Sequence, residues 1–76
     1  MKDKIRSFIS EITFIDAATI KDETMLFEEG IFDSMGLLSL ITFLNDEFSV
    51  VTDDAELNEN NFQNIESIAH FVNSKK

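Results

Sequence analysis

The chain contains no cysteine, proline, tryptophan or tyrosine, and only two of its 76 residues are glycine. Without cysteine it can form no disulfide, no zinc–thiolate site and no thiol nucleophile. It therefore lacks the disulfide bonds that stabilise small secreted domains, and we expect a cytoplasmic protein. The scarcity of proline and glycine favours helices. The sequence also lacks the apolar stretch of a secretory signal and any run of about 18 apolar residues that could cross a membrane.

Positive charge is scarce as well. Fifteen Asp and Glu residues stand against six Lys and Arg, for a formal net charge of −9, and no Lys or Arg lies between Asp22 and Ser74. A surface of this sign repels nucleic acid and anionic lipid and favours basic protein partners, although the same charge could serve solubility alone. Because 43% of the residues are hydrophobic, we expect a folded core and not a disordered acidic tail.

Apolar residues recur at i, i+3, i+4 and i+7 in three segments, which predicts three amphipathic helices over about residues 2–13, 34–48 and 65–72. Asn64 is the expected N-cap of the last helix. A single helical turn at about 58–62 precedes it, with Asn58 as its expected cap and Phe62 expected to fill the core. The loop between the first two helices, roughly 20 residues long, must be pinned if the domain is compact. The residues expected to pin it are Ile15, Ile20, Leu26, Phe27, Ile31 and Phe32.

The end of this loop places a hydroxyl at a helix start. Ser34 opens the second predicted helix, where unsatisfied N–H groups and the helix dipole would stabilise an attached phosphate. Gly30 can supply a positive φ before the site. Gly36 costs about 1 kcal/mol relative to Ala within a helix, which indicates a close approach such as partner access. Met35 and Leu38 lie off the core stripe, so we expect them to be exposed to partners or else covered by the loop.

On these residues, and on its length, acidity and helix order, the whole chain resembles the acyl carrier protein family, which includes the peptidyl and D-alanyl carrier proteins. The Asp33-Ser34-Met35-Gly36 run is most like that of D-alanyl and stand-alone carriers. The resemblance implies an all-α, acyl-carrier-protein-like four-helix bundle with three main helices and one short helix. It also implies a monomer in which residues 1–76 form a single carrier domain.

The resemblance further implies that Ser34 is the attachment point of 4′-phosphopantetheine, transferred from coenzyme A by a Mg²⁺-dependent phosphopantetheinyl transferase. The arm would carry acyl or aminoacyl groups as thioesters between an activating ligase and downstream acyl-transfer enzymes, in fatty-acid or secondary-metabolite biosynthesis. Asp33 would assist transferase docking and metal positioning, and Met35 would be an apolar docking residue. The chain itself would not be an enzyme, and its cargo stays open.

One departure from fatty-acid-type carriers concerns the exposed face of the second helix, which reads Gly36, Ser39, Thr42 and Asn45 where those carriers have several acids. A partner that recognises an acidic helix would find little to bind there. The acidic docking surface could instead lie on the flanking segments, which contain Glu28, Glu29, Asp53, Asp54 and Glu56.

Three other functions compete with that of a carrier. A hydrolase would need His70 as the base for Ser34, but His70 falls on the polar side of its predicted helix. A calcium site would need an EF-hand run that the acids at 53–56 do not provide, so no metal site is expected. The remaining alternative is an unmodified acidic helical adaptor for basic protein partners, in which Ser34 is only an N-cap whose loss costs about 1 kcal/mol.

Overall fold

The computed structural model describes residues 1–75. Four α-helices and two short 3₁₀ turns follow one another along the chain, and this part of it contains no β-strand. Helix α1 packs against both α2 and α4, and the short α3 packs against α4. The predicted all-α bundle is therefore confirmed. The helices are α1 (Lys2–Thr13), α2 (Ser34–Phe48), α3 (Glu59–Phe62) and α4 (Ile65–Lys75), and the 3₁₀ turns are Ala17–Thr19 and Asp54–Glu56.

The helix boundaries follow from their caps. Asn58 accepts a hydrogen bond from the Asn61 N–H at 3.1 Å, and Asn64 accepts one from the Ser67 N–H at 2.7 Å, so both predicted capping residues are confirmed. Helix α4 extends beyond the apolar stripe that predicted it and continues to Lys75. The two 3₁₀ turns were not predicted, because three-residue turns have no apolar period of their own.

The core forms where the apolar stripes of α1, α2 and α4 meet. Phe62 is fully buried, as predicted, and its ring meets that of Phe71 edge-on at 5.1 Å. At the edge of this core, Phe8 of α1 stacks on Phe43 of α2 with ring centroids 4.3 Å apart. Phe8 belongs to the predicted apolar stripe of α1, whereas Phe43 lies outside the predicted stripe of α2. The buried core residues are Ile5, Ile9, Ile20, Leu26, Phe32, Leu40, Leu44, Val50, Phe62, Ile65, Ile68, Ala69, Phe71 and Val72.

The long loop between α1 and α2 is pinned by side chains and by its backbone. Three of the predicted pins, namely residues 20, 26 and 32, are buried, and the other three pack against the core. The Leu26 N–H also donates to the Gln63 carbonyl at 2.8 Å, and the Glu66 N–H donates to the Asp22 carbonyl at 3.1 Å. Arg6 of α1 pairs with the Asp22 carboxylate. The loop is therefore fastened to α1 and to the junction of α3 and α4.

Glu56 joins the second 3₁₀ turn to the end of α4. Its carboxylate accepts from the Asp53 N–H at 2.9 Å and pairs with the Lys75 Nζ at 2.9 Å. The hydrogen bond from Asp53, followed by that from Lys75, lowers the pKa of Glu56 below its usual value of 4.5. Glu56 thus has a structural role within the fold, so it is no longer counted among the acids of the predicted docking surface.

We expect Glu56→Gln to lower the melting temperature near neutral pH. Because the pKa of Glu56 is lower in the folded than in the unfolded chain, its contribution is present above its unfolded pKa near 4.5. That contribution is lost as the pH falls through the lower folded pKa. Thermal unfolding across acidic pH should show wild type and variant converging. Glu59→Gln, which removes the charge of an exposed acid with no ion pair in residues 1–75, is the control. A gap that persists in acid would contradict the prediction.

Candidate functional site

The first turn of α2 is capped by Asp33, not by Ser34. The Asp33 Oδ1 accepts from the Gly36 N–H at 2.9 Å, and the Asp33 carbonyl accepts from the Leu37 N–H at 3.0 Å. Asp33 has extended backbone angles, and Ser34 is the first helical residue. The prediction that Ser34 could be an ordinary N-cap is therefore wrong. Asp and Ser are equally good caps, and the loop geometry assigns this role to Asp33.

Ser34 therefore does not cap the helix, and no other structural role is assigned to its side chain. Its side chain is exposed and makes no hydrogen bond within residues 1–75. The backbone N–H groups of Ser34 and Met35 also have no acceptor in that part of the chain, as is usual for a first helical turn. A phosphate ester on the Ser34 oxygen would lie at the positive end of a 15-residue helix beside these donors. The site therefore fits a phosphate-linked group.

The two glycines shape the approach to Ser34. Gly30 has φ +75°, which confirms the predicted positive φ. A Cβ atom on Gly36 would lie 3.0 Å from a ring carbon of Phe32. The close approach that Gly36 permits is therefore by the buried ring of Phe32 inside the protein, and this explains the residue without partner access. The Phe32 ring therefore packs against the first turn of α2.

Apolar side chains stand exposed around the site. Met35 is 71% exposed and Leu38 is 56% exposed, so the prediction of exposure is confirmed and the alternative of a covering loop is wrong. A groove of about 400 Å³ opens beside them, between the end of α1, residues 30–33 and the start of α2. Phe14, directly after α1, is 95% exposed and was not singled out from the sequence. The one sequence feature that could have pointed to Phe14 is its position immediately after the apolar stripe of α1.

Asp33 is the acidic neighbour of the serine, and further acids precede Gly30. Glu28 and Glu29 are exposed before Gly30, whereas the middle of the outer face of α2 carries no acid. His70 is exposed on α4, as predicted, and does not line the groove next to Ser34. Within residues 1–75 no group of three or more His, Cys, Asp or Glu side chains could hold a metal ion. No helix in that range is long and apolar enough to cross a membrane.

Replacing Asp33 separates its capping role from its charge. Asp33→Ala removes the acceptor for the Gly36 N–H and should cost about 1 kcal/mol, which in a domain of this size lowers the melting temperature by roughly 4–8 °C. Asp33→Asn keeps a capping oxygen and should retain most of the stability. Thermal unfolding checks both, with Asp46→Ala as a control that removes an α2 acid without touching the cap. Equal losses for Asp33→Ala and Asp33→Asn would contradict the assignment of the cap.

A small acidic helical bundle that presents one unengaged serine hydroxyl at a helix start has the architecture of a carrier domain. The chain belongs to the phosphopantetheine attachment site family, whose sequence model matches residues 3–72. It is therefore a non-catalytic carrier protein with a 4′-phosphopantetheine prosthetic group, and it interacts with modifying and acyl-handling enzymes. The resemblance to acyl carrier proteins is confirmed, and the unmodified adaptor is set aside.

Solved structures agree with this membership. The holo acyl carrier protein NE2163 of Nitrosomonas europaea is 25% identical, with a TM-score of 0.81 over 97% of this chain and 93% of that one. A chain in a crystal structure described as an FAD-dependent dehydrogenase is 28% identical, with a TM-score of 0.79 over 90% of this chain and 97% of that one. No protein of curated function matches the chain by sequence.

Proposed function

We propose that Ser34 bears the phosphopantetheine arm. The observation that carries this proposal is an exposed hydroxyl in the first turn of α2 that makes no hydrogen bond in residues 1–75. In the transfer, the Ser34 oxygen bonds to the pantetheine-bearing phosphorus of coenzyme A. The bond from that phosphorus to the oxygen of adenosine 3′,5′-bisphosphate breaks, and the serine proton leaves to a base of the transferase. A phosphodiester remains on Ser34, and its distal thiol can carry a thioester.

Two neighbouring side chains are proposed to assist the modifying enzyme. The Asp33 Oδ1 accepts the hydrogen bond that caps α2, whereas its Oδ2 makes no hydrogen bond in residues 1–75. The exposed carboxylate can therefore help to position the transferase and its Mg²⁺. Met35, which is 71% exposed directly after Ser34, offers an apolar contact to the docked enzyme.

The proposed function is the transport of acyl or aminoacyl groups as thioesters by a monomeric, cytoplasmic carrier in which residues 1–76 form one domain. The middle of the outer α2 face is free of acids, which favours an adenylating ligase over enzymes that recognise an acidic helix. Because a similar chain occurs in a structure described as an FAD-dependent dehydrogenase, a flavin enzyme that oxidises the carried group is the downstream partner to assay first.

The test is the intact mass of the purified protein before and after incubation with coenzyme A, Mg²⁺ and a broad-specificity phosphopantetheinyl transferase. We expect a gain of one phosphopantetheine unit, located on the peptide that contains Ser34. Loading of the product with acyl or amino acids by candidate ligases then distinguishes the two classes of cargo. No mass gain with several transferases, on a protein shown to be folded, would contradict attachment at Ser34.

A further inference from the structure

Phe14 combines two unfavourable features in one residue. Its side chain is 95% exposed, more than any other large apolar side chain in residues 1–75. Its backbone is left-handed, with φ 60° and ψ 24°, at the C-terminal cap of α1. Glycine usually occupies this position because a Cβ atom is strained there, and asparagine is tolerated because its short polar side chain can form a local hydrogen bond. Neither the fold nor the cap of α1 explains a phenylalanine here.

The local hydrogen bonds hold this conformation in place. The Thr13 hydroxyl donates to the Ile9 carbonyl at 2.7 Å and accepts from the Ile15 N–H at 3.4 Å. The Ser10 hydroxyl donates to the Ile15 carbonyl at 2.6 Å. These hydrogen bonds fix the backbone on both sides of Phe14, so the exposed ring is attached to a backbone of defined conformation. Such preorganisation reduces the entropy that a partner would lose on binding the ring.

Phe14 lies between two residues that line the groove next to Ser34. The groove is lined by Thr13 and Ile15, on either side of Phe14, and also by Asp33 and Met35, on either side of Ser34. An enzyme whose active site reaches the Ser34 oxygen must cover this end of the bundle. Because its two neighbours line the groove, Phe14 is a candidate contact for the modifying enzyme on a different element from the α2 residues already proposed.

The charge around the groove indicates the chemistry of the partner surface. Glu28 and Glu29 are exposed just before Gly30, which lines the groove, and they form no ion pair within residues 1–75. No Lys or Arg side chain of residues 1–75 lines the groove. The Lys and Arg residues of the described chain are Lys2, Lys4 and Arg6 in the first half of α1, Lys21, and Lys75 at the end of α4. A partner that binds here would therefore place an apolar pocket over the ring and basic residues around it.

We propose that Phe14 is an anchor residue for the phosphopantetheinyl transferase and inserts into a basic-rimmed apolar pocket of that enzyme while Ser34 is modified. This inference rests on the proposed attachment at Ser34. The ring makes no contact with the reacting atoms, so it contributes to the encounter and not to the chemical step. Its loss should raise KM for the carrier and leave kcat unchanged.

The experiment measures initial rates of arm transfer against carrier concentration, with the full chain, coenzyme A, Mg²⁺ and a broad-specificity transferase. Phe14→Asn removes the ring and suits a left-handed backbone, so its melting temperature should equal or exceed that of wild type. We expect KM to rise roughly 10- to 30-fold with kcat unchanged, the effect typical of an interface anchor. Phe14→Tyr, which keeps the aromatic ring, should restore KM to near the wild-type value.

Val51→Asn is the matched control. Val51 is 64% exposed, but it follows the far end of α2, a helix about 22 Å long, so its replacement should leave KM near the wild-type value. An unchanged KM in Phe14→Asn, or an equal rise in Val51→Asn, would overturn the anchor while leaving attachment at Ser34 intact. A lower melting temperature in both Phe14→Asn and Phe14→Gly would show a packed ring and also overturn it. A wild-type protein that takes no arm would overturn both proposals.

Discussion

Ser34→Ala is expected to abolish uptake of the phosphopantetheine arm and to leave the thermal unfolding of the protein unchanged. The first effect is all-or-none, because the hydroxyl oxygen is the atom to which we propose that the arm is bonded. The second follows from the structure, since the Ser34 hydroxyl makes no hydrogen bond in residues 1–75 and the cap of α2 is Asp33. Intact mass after incubation with the transferase measures the first, and a melting curve measures the second.

Ser39→Ala is the control for this prediction. Ser39 is also exposed on α2, and it lines the same groove. Its replacement should leave arm uptake intact, which excludes a general effect of removing a hydroxyl near the site. Full uptake by Ser34→Ala would show that another residue bears the arm. A loss of about 1 kcal/mol in Ser34→Ala would instead show that the hydroxyl caps the helix after all.

Phe62→Ala is expected to remove a large share of the total stability. The side chain is fully buried between α3 and α4, and such a replacement in a core costs about 3–5 kcal/mol. A domain of this length has about 4–11 kcal/mol of stability in total. The Gln63 carbonyl, directly after Phe62, accepts the hydrogen bond from Leu26 that fastens the long loop. Loosening α3 should therefore also loosen the segment that leads to Ser34.

Denaturant unfolding monitored by circular dichroism measures this loss as a lower midpoint. Phe14→Ala is the matched control, because it removes the same atoms from a ring that is 95% exposed. It should leave the midpoint near that of wild type. Similar losses in the two variants would contradict the placement of Phe62 in the core and of Phe14 at the surface.

The sequence predicted the helices well because their signals are local. The stripe of α1 and the bounds of α2, from Ser34 to Phe48, follow from a 3.6-residue apolar period that the backbone itself imposes. The same holds for the caps Asn58 and Asn64, since a capping side chain reaches only two or three residues along the chain. A resemblance built on these features and on the Asp33-Ser34 pair was sufficient to indicate the family.

Where two local solutions competed, the sequence could not choose. Asp33 and Ser34 are both able to cap α2, and only the path of the loop shows that Asp33 does so. Gly36 suggested room for a partner, but its missing Cβ makes room for Phe32. Glu56 looked like one more surface acid, although it pairs with Lys75, which is 19 residues away along the chain. Each outcome depends on contacts that no local pattern encodes.

Local pattern alone therefore determined the helix spans, the identity of the core stripes and the position of the serine at a helix start. The tertiary structure alone decided that Ser34 is left without a structural role, that Phe14 is exposed between two residues of the groove, and that the loop is fastened to α3 and α4. The physical reason is the distance along the chain over which each kind of interaction acts. Hydrogen-bond caps and helical periodicity act within one or two turns, whereas exposure and the partners of a loop depend on elements far apart in the chain.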